Sequence, residues 1–436
     1  MNRFHTPPVP ARATSLSAAV LRPFILAVLL ASAGTASAQA AAAAPPASAA
    51  SAPTLRAEVG KPLQAAQDAI KAANFSEAGA RVAEAEAMPG LTPYEAYIVQ
   101  RLKAPALFGA GDQPGALAAF ETALASPLMP AADRPSILET TIKLSLQLKD
   151  YPRGSRWMRV YLADGGSSAE IRRLYPQVLS ITGDHAGVLR ELGPQVAADG
   201  AAKHTTPEAT LRLLAGSQNA VKDMPAYLAT LEKLAATTGK AEYWNELIAR
   251  TASRDGFADE RLRLDLYRLR SAVGVTLSAD EVGDWAFRAN QAGLPAEAQQ
   301  LLDDGYASGL LGKGSNAAAD QALRAAATKS ATQERNTLAE GEAAVAKAKD
   351  GNAAFGLGLA VSGTGAHDRA MVLMNQGVAK GGLRRPDDAM LHLGTAQWRA
   401  GKIDDAQRSF GAVKASDGAG DLARLWGLYL ASPARK

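Results

Sequence analysis

The chain of 436 residues has no cysteine, few aromatic residues and hardly any excess of charge. Without cysteine it can form no disulfide, no thiolate metal site and no cysteine nucleophile. Its 47 basic and 43 acidic residues give a formal net charge of +4, too little to draw the whole protein onto nucleic acid or an anionic membrane. We therefore expect no nucleic-acid partner. Because 47% of the residues are hydrophobic, an apolar core can supply the stability.

The first 38 residues have the features of a secretory signal peptide. Three arginines and no acidic residue precede an apolar stretch at 23–31, and small residues then lead to Ala38. The apolar stretch is shorter than the roughly 20 residues that cross a bilayer. We predict cleavage after Ala38, with Ala40 as the alternative, and release into the periplasm as a chain that does not span a membrane. Residues 39–54, nearly all Ala, Pro and Ser, are predicted to be a disordered linker.

Turn signals recur at a nearly fixed interval beyond this linker. Gly111-Asp112, Lys149-Asp150 and Gly183-Asp184 are 38 and 34 residues apart, and Gly365 and Gly401 are 36 apart. Between the turns, apolar residues recur at the three- and four-residue spacing of amphipathic helices. Glycine can adopt the left-handed conformation that ends a helix, and the following Asp can cap the next one. The pattern predicts pairs of helices joined by tight turns.

Small residues occupy equivalent places in the predicted helix pairs. Gly358 and Gly394 each lie seven residues before a turn glycine. Alanine recurs in the second helix, five residues after that glycine where the turn is clearest, at Ala78, Ala116, Ala298, Ala370 and Ala406. These features resemble the tetratricopeptide repeat (TPR) family, over residues 56–430. The resemblance implies an all-α fold, a right-handed α-solenoid of TPR-like helix pairs.

The predicted organisation has three helical segments after the linker and 18 to 20 helices. The segments are N-terminal repeats at 55–200, degenerate helical repeats at 201–315, and C-terminal repeats at 316–436 that end in a capping helix at 421–431. Legible pairs lie at 60–87, 93–125, 134–163, 168–196, 278–307 and 351–413, the last span holding two pairs. Residues 206–272 are predicted to be helical but degenerate, with helices at 207–215, 224–237, 241–252 and 259–273, and whether they form regular repeats is left open.

No motif in the sequence points to catalysis, a metal or a cofactor. The histidines after the signal peptide are far apart and lack the spacing of metal ligands. Acidic pairs such as Asp387-Asp388 and Asp404-Asp405 stand at predicted helix starts, where carboxylates complement the helix dipole. We therefore expect no catalytic residues, no metal, no cofactor and no enzymatic activity.

One charged segment, 260–270, leaves two interpretations open. Four arginines alternate with leucines there, at Arg261, Arg263, Arg268 and Arg270. They could belong to a half-buried helix in which Asp265 and other carboxylates neutralise them. Alternatively, they could present a face to an anionic ligand.

The resemblance also implies where a partner would bind. In TPR arrays the first helices line a concave groove, so positions there are candidate contacts. Carried onto this sequence, they are Arg101, Phe108, Glu139, Lys143, Gln147, Arg173, Gln177, Phe355, Thr395, Trp398 and Arg399. The aromatic members could anchor a partner or could pack between repeats.

The function that these features predict is a periplasmic TPR-like scaffold. It would mediate protein–protein interactions in an envelope complex by holding a segment of an envelope protein or peptide. Alternatives are an accessory role in envelope polysaccharide export or in outer-membrane uptake, and a cryptic glycan-cleaving enzyme.

Overall fold

The computed structural model describes residues 54–433 and 435. The predicted signal peptide, and the predicted linker up to residue 53, lie outside these residues. The described chain contains twenty α-helices, a 3₁₀ turn at Gly314–Asn316 and no strand, which confirms the predicted all-α helical-repeat fold. None of the described helices is long and apolar enough to span a membrane. The helices are α1 Ala57–Lys71, α2 Phe75–Glu86, α3 Pro93–Gly109, α4 Gln113–Leu124, α5 Arg134–Gln147, α6 Tyr151–Ala163, α7 Ala169–Ile181, α8 His185–Ala201, α9 Glu208–Ala220, α10 Met224–Thr238, α11 Ala241–Ala252, α12 Asp259–Ala272, α13 Ala279–Gln291, α14 Pro295–Ala307, α15 Ala317–Lys347, α16 Asn352–Ser362, α17 His367–Lys380, α18 Pro386–Arg399, α19 Ile403–Ala412 and α20 Ala419–Ala431.

Turn chemistry sets the helix boundaries as predicted. Gly111 has φ 89°, the backbone N–H of Asp112 donates to the Leu107 carbonyl at 2.9 Å, and the Asp112 carboxylate accepts from the Gly115 N–H at 2.9 Å. One helix is thus closed and the next is capped within two residues. Lys149 takes the same left-handed conformation, with φ 59°, although it carries a side chain. The Lys-Asp and Gly-Asp turns are therefore equivalent.

The small residues allow close helix contact, also as predicted. The five second-helix alanines have no exposed surface. A Cβ on Gly358 would lie 2.8 Å from the Ala370 carbonyl oxygen of α17, and one on Gly394 would lie 2.6 Å from the Phe410 ring of α19. Both distances are shorter than real Cβ contacts, so a larger residue would force the paired helices apart.

The chain divides into two compact units, with the boundary between Gly193 and Pro194, inside α8. The N-terminal unit contains the pairs α1–α2, α3–α4 and α5–α6, followed by α7. Its core forms where one pair meets the next. Val59, Val82 and Val99 share a buried cluster, and Leu117 and Leu144 share another. Each pair thereby buries an apolar face that it could not bury alone.

The C-terminal unit contains the pairs α9–α10, α13–α14, α16–α17 and α18–α19. In the irregular middle segment, α10 to α12 lie within one residue of their predicted bounds, whereas α9 continues to Ala220, beyond its predicted end at 215. α20 covers the span 421–431 that was predicted for the last helix. The sequence analysis did not predict α15, a helix of 31 residues that connects the earlier helices of this unit to the later ones.

Helices after α15 pack back against those before it. α16 approaches α14, where a Cβ on Gly363 would lie 2.9 Å from the Glu297 backbone nitrogen. α20 packs against α10 and α12, and its Tyr429 ring meets Trp244 of α11 edge-on at 6.0 Å. The face of the C-terminal repeats that includes the first helices α16 and α18 is therefore covered by the same chain. That arrangement decides which candidate residues remain accessible.

Candidate functional site

In the N-terminal unit, α5 and α7 carry predicted groove residues on one helical face each. Lys143 and Gln147 are four residues apart on α5, and Arg173 and Gln177 are four apart on α7, so each pair projects from the same side of its helix. Lys143, Gln147 and Arg173 are exposed and Gln177 is half-buried. With Arg101 of α3, we call these residues the first-helix surface. It combines three cations with two side-chain amides.

Four predicted residues of this unit make contacts within the chain. The Lys143 Nζ atom lies 3.9 Å from a Glu139 carboxylate oxygen. The Arg101 Nη2 atom lies 2.9 Å from an Asp133 carboxylate oxygen, which joins α3 to the start of α5 but leaves the guanidinium partly exposed. The Tyr161 hydroxyl donates to Glu139 at 2.6 Å. Burial, together with this bond to a carboxylate, raises the pKa of Tyr161. Phe108 packs beside the buried cluster of α3, α4 and α5. Glu139 and Phe108 thus hold helices together in this structure.

The four predicted residues of the C-terminal unit also contact their own chain. Phe355 is 7% exposed and Thr395 is 4% exposed. The Trp398 ring lies 4.9 Å from that of Trp426, and an Arg399 nitrogen lies 3.3 Å from the Glu297 carboxylate. These side chains do not join the first-helix surface. The sequence does not reveal their partners because those lie up to 102 positions away along the chain.

A buried charged network lies where α12, α14 and α18 meet. The Arg268 guanidinium donates to Asp265 at 3.0 Å and to both carboxylate oxygens of Glu297 at 3.0 and 2.6 Å. His392 Nε2 lies 3.2 Å from the other Asp265 oxygen. His392 and Arg399, two turns apart on α18, thus bind opposite ends of a buried Asp–Arg–Glu chain. We call these five residues the buried network.

Electrostatics inside the network favours the charged forms. Asp265, Arg268 and Glu297 are 2%, 4% and 6% exposed. Burial opposes ionisation of Glu297, but the Arg268 guanidinium, with help from Arg399, outweighs it and lowers the pKa of Glu297 to about 2. Burial is likewise outweighed at Asp265, where His392 and Arg268 hold the pKa below its ordinary value. The network is therefore a set of mutually dependent charges.

The other arginines of the segment 260–270 also pair within the chain. Arg261 contacts Asp388 of α18 and Asp417, in the turn before α20. Arg263 contacts Asp259 on its own helix. An Arg270 nitrogen lies 2.7 Å from Glu281 of α13. The structure favours the interpretation of a partly buried, neutralised helix over that of a face for an anionic ligand.

A groove lined mainly by side chains with polar ends runs between α14 and α15 and was not predicted. It has a volume of about 880 Å³. At one edge the Arg324 guanidinium stacks over the Tyr306 ring, 4.7 Å from its centroid, and pairs with Asp303 at 2.6 Å. No motif in the sequence indicates this groove, and most of its lining residues lie on α15, a helix that was not predicted. Its lining residues are Gln299, Asp303, Gln321, Arg324, Ala325, Thr328, Lys329, Thr332, Gln333 and Asn336.

Across residues 54–433, no three side chains of the metal-ligating types gather as a potential metal site. Nor did the structure assemble the acidic pairs into a paired-carboxylate site. Asp387 accepts from the Lys414 backbone N–H at 2.5 Å, and Asp405 pairs with Arg408 on its own helix.

Comparison with known proteins adds only remote structural likeness. No protein-family model and no curated protein matches the chain. One similar structure is a chain from the Naa15/Naa10 complex bound to HypK-THB, with 13% identity over 84% of this chain and a TM-score of 0.29. This chain spans 58% of that protein's length. Another is the TPR domain of P58(IPK), with 13% identity, coverage of 85% of this chain and 98% of that one, and a TM-score of 0.22. Such values concern the fold alone and carry no functional argument.

Proposed function

We propose that this chain is a non-catalytic scaffold that holds a segment of a partner protein on the first-helix surface of its N-terminal unit. One observation carries the proposal. Lys143, Gln147 and Arg173 are exposed on first helices, whereas the corresponding residues of the C-terminal unit pack against the same chain. The N-terminal unit is thus the part of the repeat array whose first-helix residues stay accessible.

The side chains of this surface suit a polypeptide ligand. Gln147 and Gln177 each offer a donor and an acceptor, which match the alternating N–H and C=O groups of an extended backbone. Lys143 and Arg173 supply positive charge for carboxylates of the segment. A peptide bound in this way would be recognised by its backbone and by its acidic side chains.

We further propose that the scaffold works in the periplasm, as part of an envelope complex. The support is the sequence pattern of the first 38 residues. An outer-membrane uptake system is one setting in which such a scaffold would act.

Crosslinking of the tagged chain in its host cells, followed by mass spectrometry, tests the proposal. The variant carries Arg101→Glu, Lys143→Glu and Arg173→Glu. Arg399 is left intact because its removal would disturb the buried network. The matched control carries Lys61→Glu, Arg156→Glu and Arg190→Glu, which reverse three exposed cations on other helices and change the net charge equally.

The expected result is a short set of envelope proteins captured by the native chain and by the control, and lost from the variant. Capture that is equal in all three chains would overturn the proposed surface. Circular dichroism should give the same helix content for all three, so that loss of capture can be attributed to the surface.

The groove between α14 and α15 supports a second candidate, participation in polysaccharide export. Gln299, Gln321, Gln333 and Asn336 are side-chain amides that can donate to and accept from sugar hydroxyls. Isothermal titration with an oligosaccharide from the host envelope tests this candidate. Binding that is lost in Gln321→Ala/Gln333→Ala would support it, and the absence of heat with the native chain would count against it.

A further inference from the structure

Two loops of the C-terminal unit lie side by side at the ends of α15 and α17. The Gly351 N–H donates to the Gly381 carbonyl at 2.7 Å. The Asn352 side chain donates to the Gly382 carbonyl at 2.9 Å and accepts from the Arg384 N–H at 3.1 Å. Backbone and amide bonds thus hold residues 348–352 against residues 381–385.

This juxtaposition gathers five cations, which we call the two-loop patch. All are exposed. Lys380 Nζ donates to the Ala348 carbonyl, so one cation ties the two loops together. Lys347 and Lys380, at the last positions of α15 and α17, complement the helix dipoles. The other three cations lie outside the helices. The five are Lys347, Lys349, Lys380, Arg384 and Arg385.

Few negative charges oppose the patch. Asp350 lies among the cations, and its bond from the Asn352 N–H, together with nearby Arg384 and Lys380, lowers its pKa. Arg385 approaches Asp388 at 3.9 Å, but Asp388 already binds Arg261 of α12. A local excess of positive charge therefore remains on a chain whose overall charge is only +4.

The residues around the patch limit the class of ligand that it can bind. Residues 347–352 and 380–386 contain no aromatic side chain on which a base could stack. None of the exposed large hydrophobic residues of the described chain lies in either loop, so nothing would insert into a bilayer. Nor can residues 1–53 neutralise the patch, since they contain no Asp or Glu.

We infer that the two-loop patch is a second docking surface, for an acidic segment of a partner protein. Arg384 and Arg385 present guanidinium forks that bind carboxylates through paired hydrogen bonds, and the lysines add less directional attraction. The inference rests on the proposed scaffold function, because it gives the scaffold a contact on the C-terminal unit in addition to the first-helix surface.

The test measures fluorescence anisotropy of a short labelled peptide of alternating Glu and Ser with the full-length protein. Its Gln/Ser counterpart is the neutral probe. The variant carries Lys349→Glu, Arg384→Glu and Arg385→Glu, all outside the helices. A control reverses Lys233, Arg335 and Arg408, three exposed cations of the same unit that lie outside the proposed binding sites.

We expect the native chain and the control to bind the acidic peptide but not the neutral one. When Arg101, Lys143 and Arg173 are also reversed in each chain, which removes the contribution of the first-helix surface, the variant should bind the acidic peptide at least about tenfold more weakly than the control. The milder variant Lys349→Gln/Arg384→Gln/Arg385→Gln should give an intermediate loss, which guards against misfolding of the charge-reversed chain.

Three outcomes would overturn the inference: no binding by the native chain, equal weakening in the variant and the control, or tighter binding to phosphatidylglycerol vesicles or single-stranded DNA than to the peptide. The chain reversed at Arg101, Lys143 and Arg173 separates the two proposals. If the native and reversed chains capture the same proteins and both still bind the acidic peptide, the proposal for the first-helix surface is wrong, whereas the proposal for the two-loop patch stands.

Discussion

Removing Arg268, the central cation of the buried network, tests how strongly the network holds α12, α14 and α18 together. Arg268→Met keeps much of the side-chain volume but leaves Asp265 and Glu297 buried without the guanidinium that bridges them. Breaking a buried ion pair from one side costs about 3–5 kcal/mol, because an uncompensated charge remains in a medium of low polarity. His392 and Arg399 persist at the two ends, so we expect a loss near the lower end of this range.

The pKa of Glu297 gives a second route to the magnitude. A glutamate in an unfolded chain has a pKa of roughly 4.3, whereas in the folded protein the pKa of Glu297 is about 2. Linkage converts this difference into roughly 3 kcal/mol of stability at neutral pH. Both routes therefore place the contribution of the charged partners at about 3 kcal/mol or more.

Urea unfolding followed by tryptophan fluorescence measures the effect in the relevant unit. Four of the five tryptophans, at positions 244, 285, 398 and 426, belong to the C-terminal unit. The control is Arg335→Met on the exposed side of α15, which should change the free energy of unfolding by less than about 0.5 kcal/mol.

A compensated variant separates unpaired charge from lost packing. When Asp265→Leu and Glu297→Leu accompany Arg268→Met, no carboxylate of the buried network remains, and most of the loss should be recovered. The reasoning is refuted if Arg268→Met costs less than about 1 kcal/mol, or if the triple variant is less stable than the single one.

Three further predictions concern packing, turns and pH, each measured by unfolding. Gly358→Ala should destabilise the protein by about 1–3 kcal/mol because its Cβ would collide with α17. Gly356, on the same helix, has free space where a Cβ would lie, so Gly356→Ala should stabilise the protein by up to about 1 kcal/mol. Equal effects of the two substitutions would contradict the packing argument. Lys149→Gly should stabilise by about 1 kcal/mol by relieving a left-handed lysine, and Gly111→Ala should destabilise by a similar amount; a destabilising Lys149→Gly would contradict it. Because the pKa of Glu297 is lowered, the ionised side chain contributes its full stability above about pH 5 and loses this contribution as the pH falls towards 2. The difference in unfolding free energy between the native protein and Glu297→Gln should therefore shrink over that range. A difference that stays constant would contradict the proposed role of ionised Glu297.

Local chemistry made much of this fold predictable from the sequence. A left-handed residue followed by Asp or Asn closes one helix and caps the next within two or three positions, so the turns at Gly111 and Lys149 can be located without tertiary information. The packing positions follow for a similar reason, because Gly358 and Gly394 recur at a fixed distance from the turn. The first-helix residues of α5 and α7 follow from repeat register, and their role in binding stays a prediction.

The tertiary structure decided what this local pattern could not. α15 has a weak apolar stripe, with only Ala327, Ala331 and Val345 buried, so no strong periodicity marked it. The contacts of α18 with α12 and α14 join residues 102 to 127 positions apart. Whether Arg399 faces a partner or Glu297 depends on how the chain folds back, and repeat register is the same in both cases. Apart from α15, the sequence thus determined the helices and the pairing of the clear repeats through local turn and packing chemistry, while long-range packing determined which faces remain exposed.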